Sequence, residues 1–191
     1  GGLLNEAVKI VNLFVPKGEM VVSTKSRNEQ MNRTYICRNQ PLDTIIPIIV
    51  LIDEMSASAS EIVAGSFQDL DRAIIVGNTS YGKGLVQQTK QVSFGGQIKL
   101  TVAKYYTPSG RCIQKIDYSN PEKGKSMKIE DSLVSKFYTK NGREVTDSRG
   151  IEPDLKVEPD YFNAITEALL REEIIFNFIN KIIRFYDTIV P

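Results

Sequence analysis

A chain of 191 residues with 41% hydrophobic side chains is long enough to bury one substantial core. Its 24 basic and 23 acidic residues leave a net charge of +1, which gives no electrostatic reason to expect nucleic acid or an anionic membrane as a partner. The sequence has no histidine, which excludes Ser-His-Asp and Cys-His catalysis and every histidine-ligated zinc site.

Gly1-Gly2 reads as a turn that opens a helix, because Leu3, Leu4, Ala7, Val8, Ile10 and Val11 follow at helical spacing. Pro16-Lys17-Gly18 ends it. Met20 to Thr24 and Arg33 to Cys37 read as short strands joined by a polar loop. Ile45 to Asp53 is the clearest strand, apolar on both faces as in an α/β sheet, with Pro47 near its start. Ser56-Ala57-Ser58 follows directly, and Ala59 to Leu70 reads as a helix. Ala73 to Val76 is expected as a second buried strand, and a loop from Gly77 to Gly84 leads to an extended piece at Leu85 to Val92.

Phe94-Gly95-Gly96-Gln97 reads as a hairpin turn, and Ile98 to Tyr106 alternates in the manner of a strand. After the turn Pro108-Ser109-Gly110, Cys112 to Ile116 is expected as another short strand. Residues 117 to 136 are polar and read as an exposed excursion. Gly150 to Asp154 is a tight connection before a last strand, Leu155 to Val157, and from Tyr161 onward the pattern is helical. No apolar run reaches the roughly 18 residues of a membrane helix, and no secretion signal is read in the chain. Cys37 and Cys112 lie outside any CxxC pair and read as two buried thiols; the sequence does not place their sulfurs relative to each other.

Two segments carry the chemistry. Asp53 to Glu61 places Ser56, Ser58 and Ser60 between a buried strand and a helix start. Small residues there let the backbone bend and a substrate approach. Free N–H groups of the first helical turn can stabilise an oxyanion, and a serine hydroxyl can attack a carbonyl once a base takes its proton. The plain alternative is helix capping by Ser56 or Ser60. The second segment is Thr79-Ser80-Tyr81-Gly82-Lys83-Gly84, where glycines on both sides of Lys83 permit close approach. An amine of ordinary pKa about 10.4 is a poor base in water, but burial favours its neutral form. The plain alternative is a surface lysine; phosphate binding is disfavoured because Gly84 stands where GxxxxGK[ST] requires a hydroxyl. Gln87 shares a strand face with Lys83 if the strand starts at the lysine, and its amide could then orient the amine, whereas Gln88 should face the other way.

Taken together, Ser56-Ala57-Ser58-Ala59-Ser60-Glu61 and Thr79-x-x-Gly82-Lys83-Gly84-x-x-Gln87 resemble the signature of the carboxyl-terminal processing peptidases, or tail-specific proteases, which are Ser–Lys serine peptidases. Tyr105 to Arg111 and Gly150-Ile151-Glu152-Pro153-Asp154 resemble further segments of that family, read as structural. The resemblance runs from Gly1 to about Val157. It implies Ser58 as nucleophile, Lys83 as general base and Gln87 as the assisting group. It implies an oxyanion hole from the Ala59 N–H and an upstream glycine turn matched by Gly1-Gly2.

The fold implied is α/β with a crotonase/ClpP-like core of the tail-specific protease type, mixed sheets with packed helices, and C-terminal helices. The expected organisation is a catalytic core over residues 1–158, incomplete at its N-terminal end, and a helical extension over 159–191. The implied activity is endopeptidase cleavage near protein C-termini through an acyl-enzyme, with no cofactor and no metal. The implied partners are a protein or peptide substrate bound extended at a strand edge, an upstream PDZ domain in the full-length protein, and further copies of the chain in a homo-oligomer. The implied setting is the periplasm or cell envelope, or the thylakoid lumen in plants. Two other readings stand beside this one. The first is a catalytically silent homologue or fragment that binds peptides in the same groove. The second is a crotonase-like acyl-CoA enzyme, against which the Ser–Lys–Gln spacing argues.

Overall fold

Apolar spacing in the first residues produces α1 (Leu4–Asn12), which turns Ala7 and Val11 into the core. The computed structural model describes residues 1–118, 127–157 and 162–183. Gly1–Val157 forms one compact unit and Glu158–Pro191 a second.

The first unit is α/β with two main sheets. One is antiparallel, in the order β2-β1-β6-β5, from β1 (Met20–Lys25), β2 (Arg33–Ile36), β5 (Leu85–Gln91) and β6 (Gln97–Tyr106). The other is parallel, in the order β11-β4-β3, from β3 (Ile49–Ile52), β4 (Ile74–Gly77) and β11 (Leu155–Lys156). Parallel neighbours need a crossover, and α2 (Ala59–Asp69) supplies it between β3 and β4. Val11, Val22, Ile62, Phe67, Ile75 and Tyr105 belong to the buried hydrophobic cluster of this unit. Two small antiparallel ribbons complete it: β7 (Ile116–Asp117) with β8 (Met127–Lys128), and β9 (Lys136–Tyr138) with β10 (Glu144–Thr146).

A buried ion pair fixes the end of α2. Arg111 Nη2 donates to Asp69 Oδ1 and to Gln68 Oε1, each at 2.8 Å, while Nη1 donates to the Thr146 carbonyl at 3.0 Å. Such a pair is strongly destabilising to break, because either partner alone would be an uncompensated buried charge.

The structure departs from the sequence expectations in several places. β3 is shorter than Ile45 to Asp53, and Ile49 and Leu51 are 65% and 77% exposed. An apolar run cannot by itself report whether both faces are covered; β3 is an edge strand, and the face carrying Ile49 and Leu51 has no element of the described residues packed on it. Ile74 on β4 is exposed for the same reason. Residues 111–115 are not a strand; they follow the Gly82–Gly84 segment, with Lys115 N–H donating to the Gly82 carbonyl at 3.0 Å. The expected excursion at 117–136 is described only in part, since 119–126 lie outside the described residues. Within the second unit, α3 (Ala164–Arg171) and α4 (Ile174–Ile182) are separated at Glu173, whose φ is 53°. Among the described residues no helix is long and apolar enough to cross a membrane.

Candidate active site

Ser58 occupies the N-cap position of α2, at the end of the connection from β3, with φ 60° and ψ −115°. This backbone region costs a non-glycine residue about 1–3 kcal/mol and persists only where surroundings impose it. The turn leading into it is held by Asp53, whose Oδ1 accepts from Met55 N–H at 3.0 Å and Ser56 Oγ at 2.9 Å. Ser56 is thereby committed to the turn and does not cap the helix. Ser60 Oγ accepts from the Gly1 amine at 3.3 Å. A Cβ on Gly2 would stand 3.5 Å from that of Ala59, so Gly1-Gly2 lies against the start of α2. Ala59 is the first residue of the helix and its N–H belongs to the turn that has no intrahelical acceptors.

Lys83 arrives from the other direction, on the loop between β4 and β5. The Ser58 turn and this loop meet on the side chain of Glu61, which is completely buried. Its Oε2 accepts from Ser58 N–H at 2.7 Å and Lys83 N–H at 2.9 Å. Its Oε1 accepts from Ser80 Oγ and Gly82 N–H, each at 2.6 Å. Four donors on one carboxylate satisfy both of its oxygens, which is what permits a charge to be buried there. Ser80 Oγ in turn accepts from Ile151 N–H at 2.7 Å, so the Gly150–Asp154 connection also packs on this loop.

Two further side chains hold the lysine segment. Gln114 is buried, and its Oε1 accepts from Gly84 N–H at 2.8 Å. A Cβ on Gly84 would meet Gln114 N at 2.9 Å, so only glycine fits. Tyr105, 1% exposed, donates its phenol O–H toward the Lys83 carbonyl at 2.5 Å, with the Ser58 carbonyl at 3.3 Å. Burial, with the nearby charges of Glu61 and Cys112 adding to it, holds this phenol well above the usual tyrosine range, so it remains a donor.

The Lys83 side chain is half-buried and faces a cleft of about 730 Å³ whose walls include Ala57, Tyr81, Leu85, Gln87 and Lys104. Gln87 lies on this wall with Lys83, whereas Gln88 lines a separate hollow with Leu4 and Tyr35. Among the described residues no hydrogen bond joins Ser58 Oγ to Lys83 Nζ; catalytic hydrogen bonds often close only around bound substrate. Cys37 is buried, Cys112 is half-buried, and both are free thiols.

Sequence reasoning singled out Ser58, Lys83, Gln87, Ala59 and Gly1-Gly2, and it missed Glu61, Ser80, Tyr105 and Gln114 as parts of the site. For Glu61 a signal existed: Ser58-x-x-Glu61 is a capping-box pattern, in which the acid reaches back to the N-cap N–H. Tyr105 and Gln114 carry no comparable local signal, since their partners lie far away in the chain.

Comparison with known proteins finds relatives of this chain. A Bartonella bacilliformis carboxy-terminal-processing protease is 47% identical over 116 residues, covering 61% of this chain and 26% of that protein. A Synechocystis carboxyl-terminal-processing protease is 40% identical over 135 residues, covering 71% of this chain and 30% of that protein. The solved photosystem II D1 C-terminal processing protease superposes with a TM-score of 0.60 at 27% identity, over 84% of this chain and 32% of that one. The chain thus spans about a quarter to a third of the length of these relatives. The model of peptidase family S41 matches residues 1–120, well over half of the sequence, and the chain belongs to that family, the carboxyl-terminal processing or tail-specific peptidases.

Proposed function

We propose that this chain is the catalytic portion of a serine endopeptidase that cleaves near protein C-termini, with Ser58 as nucleophile, Lys83 as general base and Gln87 as the group that orients the lysine amine. The observation that carries the reading is the shared carboxylate. Ser58 N–H and Lys83 N–H both donate to Glu61 Oε2, which brings a strained serine turn beside a glycine-flanked lysine, and Ala57 of that turn and Lys83 line one cleft.

In this reading Ser58 Oγ attacks the scissile carbonyl carbon and its proton passes to the Lys83 amine. The carbonyl oxygen becomes an oxyanion, stabilised by Ala59 N–H and an N–H of the Gly1-Gly2 turn. As the tetrahedral species collapses, the C–N bond breaks, the lysine returns the proton to the leaving amine, and an ester to Ser58 remains. Water, deprotonated by the same amine, then attacks the ester and releases the new C-terminal carboxylate. β5 is an edge strand of its sheet and places Leu85 and Gln87 on the cleft wall, so an extended peptide lies along it in the manner of an added strand.

The same proposal includes the finer architecture: a crotonase/ClpP-like core over 1–158, a helical extension over 159–191, an upstream PDZ domain, homo-oligomers, and residence in the periplasm or cell envelope. Family membership supports each of these. The decisive test treats the full-length polypeptide with a fluorophosphonate probe and an unstructured protein substrate, beside Ser58→Ala and Lys83→Ala. Labelling at Ser58 and cleavage that both variants lose is the expected result. Peptide binding without labelling or cleavage would replace this reading with the silent binder.

A further inference from the structure

Ser58 and Lys83 are each held at both the backbone N–H and the backbone carbonyl. Their N–H groups share Glu61 Oε2, at 2.7 and 2.9 Å. Their carbonyl oxygens share the Tyr105 phenol, at 3.3 and 2.5 Å. Tyr105 comes from β6, which belongs to neither segment, and its own N–H donates to the Gly84 carbonyl at 3.0 Å. The ring is part of the buried cluster and Thr24 of β1 is its strand partner, so the hydroxyl is presented from a rigid base.

A strut between these carbonyls has a clear physical use. Ser58 is held in a backbone region it would leave if released, and Lys83 sits between Gly82, at φ 86°, and Gly84. The two reacting side chains are not hydrogen-bonded to each other in the free protein, so their alignment rests on the main chain beneath them. A displacement of about 1 Å between catalytic groups costs on the order of 100-fold in rate.

We infer that Tyr105 is a positioning residue for the Ser–Lys pair, its phenol bridging the Ser58 and Lys83 carbonyls and fixing the distance between nucleophile and base; the inference rests on the Ser58–Lys83 reading given above. Glu61 links the two residues only on their N–H side; on the carbonyl side the Ser58 oxygen also accepts from Ile62 N–H at 3.0 Å, which ties it to its own helix but not to the lysine segment. The role is distinct from core filling, which the ring performs with or without its oxygen.

The test is Tyr105→Phe in the full-length polypeptide, which keeps the ring and removes only the bridging atom. Turnover of a peptide substrate is measured per folded molecule, with Ser58→Ala and Lys83→Ala in the same assay. Expected are a kcat reduced by about 100-fold, a KM within about twofold, fluorophosphonate labelling of Ser58 slowed in parallel, and a Tm lowered by less than about 5 °C. A Tyr105→Phe kcat within twofold of the parent, while both control variants are silent, overturns the positioning role and leaves the Ser–Lys reading intact. A loss that follows the unfolded fraction in circular dichroism, or that appears equally in KM, assigns Tyr105 to the core alone and also overturns it. Full turnover by Ser58→Ala or Lys83→Ala removes the Ser–Lys reading itself, and the positioning role with it.

Discussion

Replacing Glu61 by glutamine tests whether one carboxylate organises the site. An amide keeps one oxygen acceptor and turns the other into a donor. It has two ways to sit. With the –NH2 toward Ser58 and Lys83, two backbone donors lose their acceptor. With the –NH2 toward Ser80 and Gly82, the Ser80 hydroxyl can rotate and accept from the amide, which orphans Gly82 N–H and the Ser80 O–H but gives the amide a partner, and this second arrangement is the one expected. The cost is two buried unsatisfied donors at about 1–3 kcal/mol each, plus about 1 kcal/mol for each of the two retained bonds that lose charge assistance. Relief of the buried charge offsets part of this, so the net loss is roughly 3–6 kcal/mol, a large fraction of the 5–15 kcal/mol that holds a typical domain together. Urea unfolding followed by circular dichroism reads the loss, and fluorophosphonate labelling reads the site. Glu61→Ala, which strands all four donors, should be worse and is expected to prevent folding. A Glu61→Gln variant within about 0.5 kcal/mol of the parent would refute the argument, because an isosteric change at an idle surface site has that size.

Two further outcomes follow from backbone and thiol burial. A Cβ at Gly77 would lie 2.0 Å from the Ile52 carbonyl oxygen, at a φ of 124°, so Gly77→Ala should separate the ends of β3 and β4 and yield little soluble protein; a soluble variant with the parent's Tm would contradict this. Burial, with Glu19 adding to it, pushes the Cys37 thiol from its ordinary 9.0 up to about 11. The unfolded chain releases this proton first, so the stabilisation is complete below pH 9.0 and is lost as the pH rises through about 11. Iodoacetamide mapping by mass spectrometry at pH 8 should find Cys37 modified far more slowly than in urea, and equal rates in the two would contradict its burial.

The arrangement explains why the serine tolerates its backbone conformation. The Ser58 peptide is held through its N–H by Glu61 and through its carbonyl by Tyr105, and the same two side chains hold Lys83. Strain at Ser58 is therefore balanced by buried hydrogen bonds drawn from α2 and β6. The Arg111–Asp69 pair braces the far end of α2, so both ends of the helix that follows Ser58 are anchored.

The sequence sets the order of elements, because periodicity is local: the alternation of Ile98 to Tyr106 is β6, and the helical spacing after Ser58 is α2. It also determined the family, since Ser56 to Glu61 and Thr79 to Gln87 are contiguous motifs read without coordinates. Tertiary structure decided which apolar residues are covered. Ile49 and Leu51 read as interior and lie on an open face, because burial depends on what packs against a strand and not on the strand's own side chains. It decided, too, the hydrogen bonds that join the two motifs. Glu61 reaches Ser58 within one helical turn, which a local pattern can anticipate. Its bonds to Ser80, Gly82 and Lys83, and the bridge from Tyr105, cross from one chain segment to another, and such contacts exist only once the hydrophobic core has brought β4, β6 and α2 together.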